Sequence, residues 1–264
     1  MKFEQGKSNN HLSIPRGIVF ALSFGVILVL FFSMNGVAQR QEQRKPKNLQ
    51  VLDSTISHDE LIGLMNKFTV ALGVECDHCH AARGKEGDLD FASDENKTKL
   101  TARAMLKMVN TINGAYISKL ASSDEPRVTV ECVTCHRGQP RPILLQDLLM
   151  RTRKEHGMAA VDSVYRDLRK DYYGSHTYDF TDHTLMQLGL EVAKESGSDA
   201  ISILKLNKEF NPQSAPNEWA LGRVYEQLGD TASAVTQYKR ALELNPSFRR
   251  AQRDLEMLGA GKKQ

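Results

Sequence analysis

Four cysteines, Cys76, Cys79, Cys132 and Cys135, are all that the chain contains, and they fall into one pattern used twice. Each pair is Cys-x-x-Cys, and each is followed at once by a histidine, His80 and His136. Two thiols so spaced on a short helical turn reach both vinyl groups at the edge of a porphyrin and close thioether bonds with them. The imidazole next in line then points at the iron. The chemistry predicted is covalent attachment of two haem c groups, with His80 and His136 as proximal ligands. Two such pairs could share one zinc ion, but Cys79 and Cys132 lie much farther apart than the pairs of a zinc ribbon. A thioredoxin-like dithiol needs a strand–helix–strand setting, which the pattern here does not offer. No cysteine is left over for a structural disulfide or a lone nucleophile. His78, between two anchoring cysteines, faces away from the iron and is not taken as a ligand.

The sixth ligand decides whether such an iron is closed or open to small molecules. Met65 precedes the first motif on a helical pattern and can place its sulfur over a ring held by that motif. Met105 and Met108 stand in the same relation to the second motif, and the pattern does not choose between them. Core filling is the ordinary role of a helical methionine. The repeated order of helix then motif favours the ligand reading for Met65.

The elements that would position these groups are helical. Ser57-His58-Asp59-Glu60 has the form of a capping box. Leu61, Leu64, Met65, Phe68 and Leu72 follow on one helical face, and Gly73 stands where a left-handed cap residue ends a helix. A second helix is expected from near Asp94 to about Lys119, with Leu100, Met105, Met108, Val109, Ile112 and Tyr116 on its apolar side. A polar loop with Ser122, Ser123, Asp124 and Pro126 leads to the second motif. In the tail, Leu221, Gly222, Tyr225, Ala234, Tyr238, Ala241 and Pro246 fit a tetratricopeptide repeat. Ala200, Leu204, Asn211 and Pro212 anticipate Ala234, Tyr238, Asn245 and Pro246 at its period of about 34 residues. Leu188 and Gly189 are one position out of that register, and Trp219 misses its consensus slot by one. Met158 to about Asp171 reads as a degenerate half-repeat. No segment alternates long enough to propose a sheet, so the expected fold class is all-α.

Residues 1–38 read as an export signal or an N-terminal membrane anchor. Basic residues precede the apolar run Gly17–Phe32, and Val37-Ala38 would permit cleavage. The expected organisation is this segment, a basic linker over 39–52, a di-haem domain over 53–141 and a helical-repeat domain over 142–260. Location is then periplasmic, or at the outer face of the cytoplasmic membrane. The 264 residues are 41% hydrophobic and 25% charged with a net charge of +3, which gives no footprint for nucleic acid.

Asn48-Leu49-Gln50-Val51-Leu52, Met65, Phe68, Ala71-Leu72-Gly73-Val74 and the first motif resemble the cytochrome subunit of photosynthetic reaction centres. So do Phe91-Ala92-Ser93-Asp94-Glu95, the helix Ala102–Val109 with Asn113, and Cys132–Gly138. The resemblance covers roughly residues 48–140. It implies that a methionine on the helix before each motif ligates the iron: Met65 for the first haem and Met108, at the Met-Val step, for the second. The reaction-centre subunits themselves hold four haems, whereas this chain has two motifs and an unrelated repeat tail, as a two-haem member serving another electron-transfer chain would. The function expected is single-electron transfer between a redox-protein donor and acceptor, with a membrane complex as partner and no catalytic residues. Two other readings compete. A di-haem peroxidase needs an open iron and a distal acid–base pair, and none is evident. A scaffold would use the repeat tail to bind a protein partner and assemble a redox complex.

Overall fold

A computed structural model describes residues 46–84, 87–120 and 128–260. The expected targeting segment, the first part of the linker and the Ser122–Pro126 loop lie outside the described residues. Among these residues the fold is all-α, with ten α-helices and one short antiparallel ribbon. In that ribbon β1 (Ala81–Arg83) pairs with β2 (Asp88–Asp90), Ala82 opposite Leu89. Three residues a side are too few for alternation to be visible in the sequence.

Two compact units divide the described chain: residues up to 67 with 76–120, and residues 68–75 with 128–260. The second cysteine motif thus shares a unit with the helices of the tail.

Helix α1 (His58–Leu72) opens on the expected box, the Ser57 amide donating to Glu60 Oε2 at 3.0 Å and the Glu60 amide to Ser57 Oγ at 3.3 Å. It closes on Gly73 at φ +65°, with the Val74 amide reaching back to the Thr69 carbonyl. A Cβ on Gly73 would lie 2.3 Å from the carbonyl oxygen of Gly138, whose own amide donates to Ala71 O at 2.9 Å.

Helix α2 (Lys97–Thr111) starts later than the sequence pattern implies. Asn96, not Asp94, is its cap, accepting from the Thr98 amide at 3.0 Å. The regular helix also stops earlier, at Thr111, and continues as a π turn over Ile112–Tyr116 and a 3-10 turn over Ile117–Lys119.

Asp94 instead anchors tertiary structure within the first unit. Its carboxylate takes Arg103 Nη1 at 2.8 Å, Asn48 Nδ2 at 2.8 Å and Lys99 Nζ at 3.2 Å. Arg103 also reaches the Asn48 carbonyl, and Lys99 the carbonyls of Phe91 and Ser93. The Arg103 bond first, then the Asn48 bond, hold the Asp94 carboxyl far below the ordinary carboxylate range, against a small opposing effect of burial. A group so depressed stabilises the fold fully above its unfolded value near 3.8, and that stabilisation is lost as pH falls through the window below it. Asp94→Asn is therefore expected to speed backbone amide exchange in residues 48–50 and 91–103 at neutral pH. It should also abolish the extra acid sensitivity expected of the parent there below about pH 4. Equal exchange in the two proteins across that range would refute it.

The second unit contains α3 (Cys132–His136), described below, and then helices packed as antiparallel hairpins. These are α4 (Leu145–His156) with α5 (Met158–Tyr172), α6 (Asp182–Val192) with α7 (Gly197–Phe210), and α8 (Ala215–Gln227) with α9 (Thr231–Leu244). Helix α10 (Arg249–Ala260) covers α9. The half-repeat expected at Met158 is thus one arm of a full hairpin, turned by Gly157 at φ +81°. Leu149, Val161, Tyr165, Leu185, Leu188, Ile203 and Leu204 form the closed interior of the array. Arg153 bonds Glu195 and, at 2.9 Å, Asp199, tying α4 to the second hairpin. Two glycines set the closest helix approaches: a Cβ on Gly189 would strike Leu204, and one on Gly222 would lie 2.4 Å from the ring of Tyr238. Leu204 and Tyr238 are the residues that keep the repeat period. The one-position slip therefore lies between Gly189 and Leu204, where α6 ends closer to its glycine than α8 does to Gly222.

Trp219, the consensus misfit, packs on Phe248 and donates Nε1–H to the buried Asp254 at 2.8 Å, fastening α8 to α10.

Candidate functional site: two Cys-x-x-Cys-His turns

The first motif is a single turn. Cys76–His78 is 3-10 helical, and the Cys79 and His80 amides both return to the Cys76 carbonyl, at 3.3 and 3.1 Å. Asn96 fixes this turn from outside, its side-chain amide donating to the His78 carbonyl at 3.1 Å. One residue thus caps α2 and steadies the motif, a role that no sequence pattern marks. Phe91 stands edge-on to the His80 ring at 5.0 Å between centroids. Burial, with Lys99 adding to it, pushes the His80 pKa down, which favours the neutral imidazole a metal requires. His80 Nδ1 is buried without a hydrogen-bond partner. Met65, half-buried on α1, belongs to this same unit.

The second motif is a helix of five residues, α3. The Glu131 amide donates to Thr134 Oγ1 at 3.0 Å at its start, and the Arg137 amide to Val133 O at 3.2 Å at its end. Arg137 takes the left-handed conformation, φ +49°, and Gly138 follows at φ +83°. The chain then folds back, so that the Gln139 amide donates to His136 O at 2.9 Å while the His136 Nδ1 lies 2.8 Å from Gln139 O. A carbonyl can only accept, so this contact requires the proton on Nδ1 and leaves the Nε2 lone pair outward for a metal. Gln139 acts here through its backbone, so its side-chain identity carries no signal in the sequence.

All four cysteines are free of disulfide bonds. Burial, foremost, raises the pKa of Cys79 and of Cys132, keeping both as thiols. Met105 and Met108 sit one turn apart on α2 in the first unit, both exposed, at 40% and 46%. Beside the second motif Arg137, Ser175, His176, Tyr178 and Asp179 line an open cleft of about 450 Å³.

The model of the photosynthetic reaction centre cytochrome C subunit family matches residues 47–187, more than half of the chain, and the chain belongs to that family. A tetratricopeptide repeat model matches residues 218–256. Cytochrome c-554 of Chloroflexus aurantiacus is 33% identical over 105 residues, 40% of this chain and 23% of that protein. The photosynthetic reaction center cytochrome c subunit of Roseobacter denitrificans is 34% identical over 99 residues, 36% of this chain and 25% of that protein. The chain therefore spans about a quarter of the length of these curated relatives.

Do the residues present fit a c-type haem? Each pair of thiols is unbridged on one turn beside an imidazole, and His136 already holds its iron-facing tautomer. The surroundings suit a large flat apolar group as well. Among the described residues from 46 to 144, Ala71 alone is fully buried, while Phe91, Leu100, Met105, Met108 and Val133 are exposed. A stretch with few fully buried apolar residues leaves room for a large bound group to complete its interior. The residues fit. Among the described residues no helix is long and apolar enough to cross a membrane.

Proposed function

We propose that the protein is a di-haem c-type cytochrome that passes single electrons between protein partners and turns over no substrate. The reading rests chiefly on one observation: two Cys-x-x-Cys-His turns lie in a stretch whose apolar side chains are half-buried or exposed, Ala71 apart, among the described residues. Family membership supports it. Cys76 and Cys79 would hold one haem and Cys132 and Cys135 the other, with His80 and His136 on the iron. Bound haem supplies the one-electron couple; the chain supplies attachment, axial ligands and burial, which set the potential. Met65 is the proposed distal ligand of the first iron. Met108, with Met105 as the alternative, is that of the second, as the resemblance implies.

The proposed location is the periplasm-facing side of the cytoplasmic membrane, with a redox donor and acceptor there. The helical-repeat array offers a protein-docking module, in keeping with its tetratricopeptide match. The proposed domain order is a targeting segment, a linker, the di-haem part and the repeat array.

The test is a haemochrome count with the intact mass of the native chain, followed by Met65→Ala. Two covalent haems are expected. The variant should lose one sulfur-to-iron charge-transfer band in the oxidised spectrum, and the potential of one haem should fall, since a thioether ligand raises it. A colourless native protein, or a variant with unchanged spectrum and potentials, overturns the assignment.

A further inference from the structure

The turn that follows His136 is held from two directions. From within, Arg137 N donates to Val133 O and Gln139 N to His136 O. From the helical array, Thr177 Oγ1 donates to the carbonyl of Arg137 at 2.8 Å. Arg137 needs such restraint, because a side chain bearing a Cβ at φ +49° is strained and persists only where its surroundings over-determine it. A Cβ on Gly138 would be in ordinary van der Waals contact with the same hydroxyl oxygen, at 3.6 Å, so Thr177 borders both residues of the turn.

Thr177 is itself well fixed. It lies in the loop 173–181 that joins α5 to α6, with its amide 3.3 Å from Ser175 Oγ. The next residue, Tyr178, is buried edge-on against Tyr172, and Phe180 is buried against Tyr165. The Asp179 carbonyl accepts from Thr184 Oγ1 at 2.9 Å in the first turn of α6. The loop thus extends the closed interior of the helical hairpins, and its hydroxyl ends on the residue after the proximal histidine.

We propose that Thr177 is a positioning residue for the second redox centre: by bonding the Arg137 carbonyl it fixes the left-handed turn after His136, and so makes the orientation of that imidazole depend on the repeat array. This rests on the two-haem reading above. Loss of the hydroxyl loosens the turn and admits water beside His136, which favours the more positively charged oxidised state.

The experiment uses the full holoprotein and compares Thr177→Val with Thr177→Ser. Spectroelectrochemistry measures the reduced-to-oxidised ratio of each haem, and low-temperature spin resonance reads the axial geometry. Parallel titration of a protein lacking Cys76 and Cys79 assigns the second centre. Thr177→Val is expected to lower the reduced-to-oxidised ratio of the second haem about threefold at the parent midpoint, the order of effect of one neutral hydrogen bond. It should also move the resonance of that haem alone, and Thr177→Ser should restore both. Unchanged values in Thr177→Val, or equal shifts at both haems, overturn the proposal while leaving the two-haem reading intact. A haem count of one would overturn that reading and this proposal together.

Discussion

On the two-haem reading, changing Cys76 and Cys79 together to alanine is expected to yield a chain that carries one haem rather than two, with about half the parent's Soret absorbance. The effect is large because thioether attachment is covalent: without both sulfurs no covalent bond would join that porphyrin to the chain, and His80 with Met65 would hold it only by coordination. The loss should stay local. The second motif is closed by its own bonds, from Glu131 to Thr134 and from His136 to Gln139, in the other compact unit. Intact mass after denaturation is the direct measure. A variant that keeps two covalent haems, or that loses both, would contradict the independence of the two turns.

Gly73→Ala is expected to cost more stability than any surface substitution in the chain. Left-handed backbone costs a residue with a Cβ about 1–2 kcal/mol. Here the added methyl would also stand 2.3 Å from Gly138 O, a backbone atom held by Gly138's own bond to Ala71. Relief requires the end of α1 or the turn after His136 to move, so a total near ~3 kcal/mol or above is the expected order. A calorimetric melt measures it. The second haem's spectrum should change as well, because Gly138 lies two residues from His136. A melting point within a degree or two of the parent would show that the approach is less tight than the geometry requires.

Local chemistry is legible in the chain itself. The spacing Cys76–Cys79–His80 and its twin specify a turn, Ser57 and Glu60 specify a helix start, and Gly73 specifies its end. Each involves residues within four positions, where backbone geometry fixes who meets whom. The repeat period is legible for the same reason, since Ala200 and Ala234 occupy equivalent helix faces. Long-range pairing is not. Nothing in the sequence joins Asn48 to Asp94 or Thr177 to Arg137, because polar pairs distant along the chain leave no periodicity. Asp94 suits a helix start by residue type, yet Asn96, two positions on, has the same aptitude and takes the cap. The segments that carry the family resemblance, Asn48, Phe91–Glu95 and Arg103, are those that lock together around Asp94. Their likeness to the family is visible in the residues, and the bonds behind it are not. The first hairpin, α4 with α5, is hidden by its turn at Gly157, which is too short to keep the consensus spacing.

The scarcity of buried side chains before residue 145 bears on how the protein is made. The tail hairpins have an interior of their own. Among its described residues the forward stretch has the Asp94 network but no such interior, and on the proposed reading bound haem would supply the rest of its cohesion. On that reading, ligation would be the step that completes the front of the molecule.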